Sequence, residues 1–513
     1  MTDLGDVRTL GELLERIARR APDSPGLTVP GSPSTTWTFA ELLRDAKAVA
    51  GTLLSQYRPG DRIALVLPNG AEPVLLQLGT ALAGMTLVPM NIRSTGNEIA
   101  HMLGVSGAVA VYVPRDGAVA DVVRDVVTGL PHRCRVVPIG TWRDLLGEPP
   151  VSLPTVTGSS LAQIQFTSGT TGRPKGVRVR HESSVLTAHA FATRLGLPGP
   201  SKWVNPMPLF HTAGNVLGTI GALSVAAEQV VLPFEPAAVL RVVAESGADV
   251  LSAAPTVIDM LRSHEDFART DLSRLRVIYT GGSMMSREFL SSMERDFGVR
   301  ISVAFGMTET CGAALQTAPL ADDEETRWTT VGRPLPGVEA RVVDENGADQ
   351  PPNVPGELLL RGPSITDGYH DDPEATAAAI DREGWLHTGD LAVVDEVGRF
   401  RIVGRIKEMI KTGGENVSPA EVEAVLLSSP DVSRAAVVGI PDDRWGELVT
   451  AFIVPADPSA TSVDLEKLEA LCRSQLSRFK IPRRWFVVDE LPLTGSTKIN
   501  RAELRRRAMA ASQ

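Results

Sequence analysis

Short apolar runs alternate with amphipathic stretches along most of this chain. Leu10, Leu13, Leu14 and Ile17 fall at helical spacing and predict a helix over residues 10–18. Thr38-Phe39-Ala40-Glu41 is a capping box, with Trp37 and Leu42 placed as a hydrophobic staple, so a second helix starts there. Arg58-Pro59-Gly60-Asp61 reads as a turn. Ile63 to Leu67 is wholly apolar, as suits a strand covered on both faces. Pro68-Asn69-Gly70 ends that run, a helix through Leu75–Leu82 follows, and residues 86–90, 108–113 and 135–139 read as further strands. Strand and helix alternating in this way predict α/β architecture with largely parallel sheets.

The pattern resumes beyond residue 200. Pro208-Leu209-Phe210-His211-Thr212-Ala213-Gly214-Asn215 opens a small-residue helix, and residues 230–232 and 250–253 read as strands. Leu275–Tyr279 runs into Thr280-Gly281-Gly282-Ser283, and Ile301–Phe305 runs into Gly306-Met307-Thr308-Glu309-Thr310. Two strands that each end in a glycine-bearing turn predict a crevice at strand C-termini, where α/β sheets bind ligands. From Val331 proline and glycine become dense, and short strands at 357–360 and 391–394 predict a small β-rich subdomain. Gly404-Arg405-Ile406-Lys407 leads to a turn at Thr412-Gly413-Gly414-Glu415-Asn416. Helices at 419–427 and 465–476 and strands at 435–438 and 449–454 then suffice for a separate small α+β domain. The expectation is a large N-terminal domain over 1–406, with two α/β sheets and a β-rich subdomain (about 1–165, 166–330 and 331–406). A small C-terminal domain over 407–513 follows.

Composition narrows the functional classes. A chain of 513 residues is long for one core and suggests roughly three units. A net charge of −10 argues against nucleic-acid binding. The segment 471–513 runs the other way, with ten Lys/Arg against three Asp/Glu, and offers either a solvated basic helix end or a match to a phosphate-rich ligand. The three cysteines, Cys134, Cys311 and Cys472, are isolated and form neither a disulfide framework nor a metal pattern, which fits a reducing cytoplasm. The acidic start Met1-Thr2-Asp3-Leu4-Gly5-Asp6 lacks a signal peptide's apolar run, and no window approaches about 18 uninterrupted apolar residues, so no membrane span is expected.

The densest chemistry lies in Thr167-Ser168-Gly169-Thr170-Thr171-Gly172-Arg173-Pro174-Lys175-Gly176. Glycines let backbone N–H groups approach an anion, hydroxyls donate further hydrogen bonds, and lysine supplies positive charge. This is not the Walker pattern, because Lys175 is followed by Gly176 rather than Ser or Thr. Ala162, Ile164 and Phe166 alternate with Gln163 and Gln165 before the stretch, and Val177 and Val179 with Arg178 and Arg180 after it. The loop therefore joins strand to strand, as a phosphate cradle or as an ordinary turn.

Taken with Phe210-His211, Gly281-Gly282-Ser283, Phe305-Gly306-Met307-Thr308-Glu309, Gly356-Glu357-Leu358, Tyr369, Trp385-Leu386-His387-Thr388-Gly389-Asp390, Gly404-Arg405-Ile406-Lys407 and Lys498, the loop aligns in order and spacing with a known family. Over nearly its whole length the chain resembles the adenylate-forming superfamily of acyl-CoA synthetases, luciferases and peptide-synthetase adenylation domains. It is most similar to free-standing synthetases of the fatty-acid-CoA ligase type. The resemblance implies ATP-dependent conversion of a carboxylic acid to an acyl-adenylate, with loss of pyrophosphate, and then thiol displacement of AMP. ATP, Mg²⁺ and coenzyme A are the implied cofactors, and a small carboxylic acid the substrate.

The same resemblance assigns roles. Thr167, Ser168, Gly169, Thr170, Thr171, Gly172 and Lys175 would hold the β- and γ-phosphates. Glu309 would bind Mg²⁺ and Thr308 the α-phosphate. Phe305 would stack on adenine, with Gly281, Gly282, Ser283, Gly306 and Met307 around the base, where the family more often has tyrosine for Phe305 and alanine for Ser283. Asp390 would accept the ribose hydroxyls with help from Arg405. His211 would stand beside the acyl pocket or simply pack there. Lys498 would bridge carboxylate and α-phosphate, although Thr497 replaces the usual preceding glycine. The implied small domain is mobile, turning about Lys407 so that Gly413 and Gly414 border the pantetheine arm.

Peptide-synthetase domains usually keep an aspartate near residues 211–213, and its lack here disfavours an amino-acid substrate. Coenzyme A is the expected acceptor, a carrier-protein phosphopantetheine thiol the first alternative, and a non-catalytic nucleotide-binding protein the second. A cytoplasmic monomer or homodimer is expected. Trp203, Thr212, Asn215, Val216, Thr280 and Ala304 are candidates for the acyl pocket, and the small residues Ala213, Gly214 and Gly218 suggest room for more than acetate.

Overall fold

The fold comes from a computed structural model that describes residues 4–31, 34–167, 174–197, 200–442, 444–457, 460, 463–492 and 499–511. Ser168, Gly169, Thr170, Thr171, Gly172 and Lys498 therefore lie outside the described residues.

Alternation of side chains explains the layering. In the strand Arg62–Leu65, Ile63 and Leu65 join one core cluster, while Ala64 and the following Val66 join another on the opposite face. Trp203, Val231, Val250 and Val277 face the first cluster, and their neighbours Val204, Val230, Leu251 and Ile278 face a third. Two sheets are thus each covered on both faces and share one inner helical layer, supplied by Leu10–Arg20, Phe39–Leu54, Ala71–Leu82 and His181–Arg194. Capping boxes fix the starts of the first two, at Thr9/Glu12 and at the expected Thr38/Glu41.

The first sheet has six strands in the order Arg135–Ile139, Ala110–Pro114, Arg62–Leu65, Thr86–Pro89, Leu161–Phe166, Gly176–Arg180, and only the last is antiparallel to its neighbour. The second has nine. At its centre Lys202–Asn205, Val250–Ser252, Val277–Gly281 and Arg300–Phe305 run parallel. The third is a four-stranded antiparallel sheet of Glu339–Val343, Gly356–Arg361, Leu386–Val394 and Phe400–Arg405. The C-terminal sheet is organised on the long pair Val432–Asp442 and Gly446–Pro455. Among the described residues no helix is long and apolar enough to cross a membrane.

The sheets do not divide at 165/166. Gly176–Arg180 completes the first sheet, and the hairpin Pro25–Val29/Thr35–Thr38 adds to the second sheet beside Glu228–Val231. Pairing between segments some 200 residues apart leaves no trace in local periodicity. The expected strand at 391–394 is longer, Leu386–Val394, and takes in Asp390. A further helix, Arg501–Ala510, closes the chain.

Candidate functional site

The strand Gly176–Arg180, the turn after Arg300–Phe305 and the segment Thr366–His370 are joined by hydrogen bonds. Phe166 faces Gly176 across the first-sheet hairpin; the Thr167 N–H donates to Lys175 O at 3.0 Å and the Lys175 N–H to Thr167 Oγ1 at 3.4 Å. The cradle stretch is thereby pinched at its base and joins strand to strand. The segment Thr366–His370 then lies along the outgoing strand: the Arg178 N–H donates to Gly368 O at 3.0 Å and the His370 N–H to Gly176 O at 2.7 Å.

That register places Tyr369 between two expected site residues. Lys175 Nζ lies 4.9 Å from the centre of its ring, and its hydroxyl donates to Glu309 Oε1 at 2.8 Å. Burial and then the Glu309 charge hold the phenol far above its ordinary pKa, so it stays a donor. The motif pattern marked Tyr369, but this linking position depends on its pairing opposite Val177, which spacing does not reveal.

Glu309 sits in the short 3₁₀ turn Thr308–Thr310 that follows the strand Arg300–Phe305. The Met307 N–H donates to Thr310 Oγ1 at 3.0 Å, and the Thr366 N–H to Glu309 O at 2.8 Å. Glu309 is only 5% exposed. A Cβ on Gly312 would stand 3.2 Å from Thr212 Cβ, so the residues after the turn abut the start of the helical segment Ala213–Ile220, just past Phe210 and His211, whose rings are 4.4 Å apart. Among the described residues no group of three or more His, Cys, Asp or Glu could cage a metal. Buried Glu309 nevertheless offers the hard carboxylate oxygen that Mg²⁺ takes, and the ion commonly binds through one or two protein carboxylates together with phosphate oxygens.

The adjoining lip is set by backbone proximity. Gly281 faces Ala304 in neighbouring parallel strands, and a Cβ on Gly281 would lie 2.2 Å from Ala304 O, so no other residue fits. Gly281-Gly282-Ser283 and Phe305-Gly306-Met307 therefore leave the sheet side by side, with Phe305 half-buried against the main core. Asp390 and Arg405 face each other across the third sheet, and the guanidinium Nε lies 2.8 Å from Asp390 Oδ1. The carboxylate is 2% exposed and its own N–H donates to Thr388 Oγ1 at 3.1 Å. Asp390 is thus a strand residue in a polar pair, not a turn residue.

Ile406 and Lys407 are exposed between that sheet's last strand and buried Ile410. Gly413 and Gly414 have φ of +60° and +84° and form the two-residue tip of the hairpin Ile410–Thr412/Glu415–Val417. Such a tip requires glycine for its own geometry, whatever passes beside it. The basic excess near the C-terminus is largely balanced internally, since Arg473, Lys480, Arg501, Arg505, Arg506 and Arg507 each face a carboxylate.

The small residues in the helical segment that follows His211 also have an internal cause. A Cβ on Gly214 would lie 2.3 Å from Pro208 O, and one on Gly218 2.3 Å from Asn205 Nδ2. They admit close packing and do not report space for a substrate. The helical segment Ala213–Ile220 is a π-helix, a form frequent at functional sites, and the sequence pattern showed only that it was helical. The Asn215 amide donates to Leu209 O at 2.9 Å, and Trp203 packs 6.1 Å from the Tyr279 ring within the core.

Residues 14–370 match the family model for AMP-binding enzymes, and residues 421–498 match that for the AMP-binding enzyme C-terminal domain. A feruloyl-CoA synthase from Amycolatopsis sp is 35% identical over 495 residues, spanning 95% of this chain and 97% of that protein. The crystal structure of an anthranilate CoA ligase in complex with anthranoyl-AMP superposes with a TM-score of 0.91 at 26% identity, covering 100% of both chains. The o-succinylbenzoate coenzyme A synthetase from Bacillus subtilis, in complex with ATP and magnesium ion, superposes with a TM-score of 0.83 at 27% identity, over 96% of this chain and 99% of that one.

Proposed function

This chain belongs to the AMP-binding enzyme family, and from that premise we propose how its residues divide the work of an AMP-forming acyl-CoA ligase. The enzyme uses ATP, Mg²⁺ and coenzyme A, and makes acyl-CoA through an acyl-adenylate. A carboxylate oxygen attacks the α-phosphorus, the bond to the β-phosphate oxygen breaks, and pyrophosphate leaves. The thiol sulfur then attacks the acyl carbon and gives up its proton to solvent, the acyl C–O bond of the mixed anhydride breaks, and AMP departs with that bond's electron pair.

The chain Lys175–Tyr369–Glu309 carries the assignment. It joins the base of the phosphate cradle to the buried carboxylate within one contact network. Lys175 and the hydroxyls of residues 167–172 hold the pyrophosphate end of ATP, and Glu309 supplies the protein ligand for Mg²⁺. Bound there, the cation offsets phosphate charge. Thr308 donates toward the α-phosphate, Phe305 stacks on adenine, and Asp390 with Arg405 holds the ribose. His211 borders the acyl end, and Lys498 bridges the reacting anions.

Asp390→Ala is expected to raise KM for ATP about ten- to a hundredfold, because hydrogen bonds to a charged group contribute ~1.5–3 kcal/mol each. Saturation kinetics with ATP check this; an unchanged KM would remove Asp390 from the ribose site.

The acid is proposed to be bulkier than acetate and the acceptor to be free coenzyme A. The relatives named as CoA ligases of ferulate and anthranilate support this reading. A panel of aliphatic and aromatic carboxylic acids in a pyrophosphate-release assay, run with CoA or with a phosphopantetheinylated carrier protein, tests it. Turnover with a bulky acid and CoA is expected. Turnover on the carrier protein alone, or with acetate alone, would overturn it.

A further inference from the structure

The segment Thr366–His370 grips Glu309 at two points. The Thr366 N–H donates to the Glu309 carbonyl oxygen at 2.8 Å, and the Tyr369 hydroxyl donates to the carboxylate Oε1, also at 2.8 Å. The grip is itself braced. Thr366 Oγ1 donates to Arg178 O at 2.7 Å and accepts the Gly368 N–H at 3.1 Å, which ties the segment to the strand Gly176–Arg180. The Tyr369 N–H donates to Thr376 Oγ1 at 2.9 Å, in the helix Pro373–Ala379. Lys175 rests on the face of the Tyr369 ring, with Nζ 4.9 Å from its centre. Backbone, ring and hydroxyl of Tyr369 are thus all held, and the hydroxyl is aimed at one oxygen of Glu309.

A carboxylate has two oxygens with which to meet a cation, and this contact commits one of them. Among the described residues no side chain or backbone group donates to the other, Oε2. The difference decides which ion fits. Mg²⁺ demands a near-ideal octahedron, and the two oxygens of one carboxylate lie too close together for adjacent corners of so small a figure. Ca²⁺ is larger, gathers about six to eight oxygens in flexible geometry and takes both oxygens of a single carboxylate where they are offered. With Oε1 engaged by the phenol, Glu309 offers one.

We propose that Tyr369 determines the metal specificity of this site: it keeps Glu309 a one-oxygen ligand and so favours Mg²⁺ over Ca²⁺. The proposal rests on the reading of Glu309 as the Mg²⁺ ligand, and Tyr369 is a positioning residue that acts through it. Hydrogen-bonded partners of metal ligands commonly govern about ten- to a hundredfold in metal affinity. Without the hydroxyl, Oε1 is released and the carboxylate is free to turn. Mg²⁺ then loses a ligand already oriented for it, and a larger ion gains a second oxygen. Phenylalanine keeps the ring on which Lys175 rests, so the substitution removes the hydroxyl alone.

Isothermal titration calorimetry without any carboxylic acid tests this by binding rather than turnover. Mg–ATP, Ca–ATP and, with a chelator present, metal-free ATP are titrated into the parent enzyme, Tyr369→Phe and Glu309→Gln. The parent is expected to bind Mg–ATP more tightly than Ca–ATP. In Tyr369→Phe that preference should shrink about tenfold, chiefly through weaker binding of Mg–ATP. Binding of metal-free ATP should be unchanged, since the rest of the nucleotide site is intact. A preference as large as the parent's, equal weakening of both metal complexes included, would overturn the proposal and leave Tyr369 a packing residue. A parent enzyme without preference for Mg–ATP would overturn it as well. Glu309→Gln tests the reading beneath it. Should that variant bind Mg–ATP as tightly as the parent, Glu309 is not the metal ligand, and the proposal falls for that separate reason.

Discussion

Replacing Lys498 by alanine is expected to slow acyl-adenylate formation about 10²–10³-fold, the loss typical of one charge-stabilising donor. Transfer from supplied acyl-adenylate to coenzyme A should be nearly unchanged. The asymmetry follows from charge. Adenylation brings a carboxylate onto a phosphate that is itself anionic, and negative charge concentrates between them as the new bond forms. In the proposed assignment Lys175 and Glu309 serve the departing pyrophosphate, which leaves the charge between the two reactants to Lys498. Thioester formation involves a neutral acyl carbon and an AMP leaving group, and makes no such demand. Rapid-quench measurement of the two half-reactions checks the split. Equal loss in both would remove Lys498 from the first step.

Lys407→Pro is expected to have the converse effect: adenylation within about threefold of the parent enzyme, with acyl transfer reduced on the order of a hundredfold. Proline fixes φ near −65° and restricts the residue before it, which is tolerable in one orientation of a hinge and obstructs the turn to another. The local structure suits a joint. Exposed Ile406 and Lys407 drag no core side chain with them, while Phe400–Arg405 on one side and buried Ile410 on the other belong to firm sheets. Ser418 Oγ donates to Val403 O at 2.7 Å across this segment. Single-turnover thioester formation, set beside pyrophosphate exchange, checks the expectation. Normal turnover in both steps would place the hinge elsewhere.

Much of this was legible in the sequence because the signals were local. Apolar runs such as Ile63–Leu67 mark strands covered on both faces, and Thr38-Phe39-Ala40-Glu41 marks a helix start, since capping needs only residues three apart. The order of Gly281-Gly282-Ser283, Phe305-Gly306-Met307 and Thr308-Glu309 at adjacent strand ends was legible for the same reason. What remained hidden depended on contacts between distant segments. No period tells that residues 25–38 join the second sheet, or that Thr366–His370 lies on Gly176–Arg180 and carries Tyr369 to Glu309. The final helix was missed because its buried side is only Leu504 and Ala508 in an arginine-rich segment. Gly214 and Gly218 misled in the opposite sense, since small residues mark close packing as readily as open space.

We propose that the stretch 167–176 holds the leaving group and that Lys498 serves the reacting anions, within a reaction whose first half needs no thiol. ATP–pyrophosphate exchange without coenzyme A tests that claim most directly. Labelled pyrophosphate should enter ATP only when a suitable carboxylic acid and Mg²⁺ are both present, and Lys498→Ala should abolish most of the exchange. Exchange without any acid, or none until coenzyme A is added, would contradict a separate acyl-adenylate step on this enzyme.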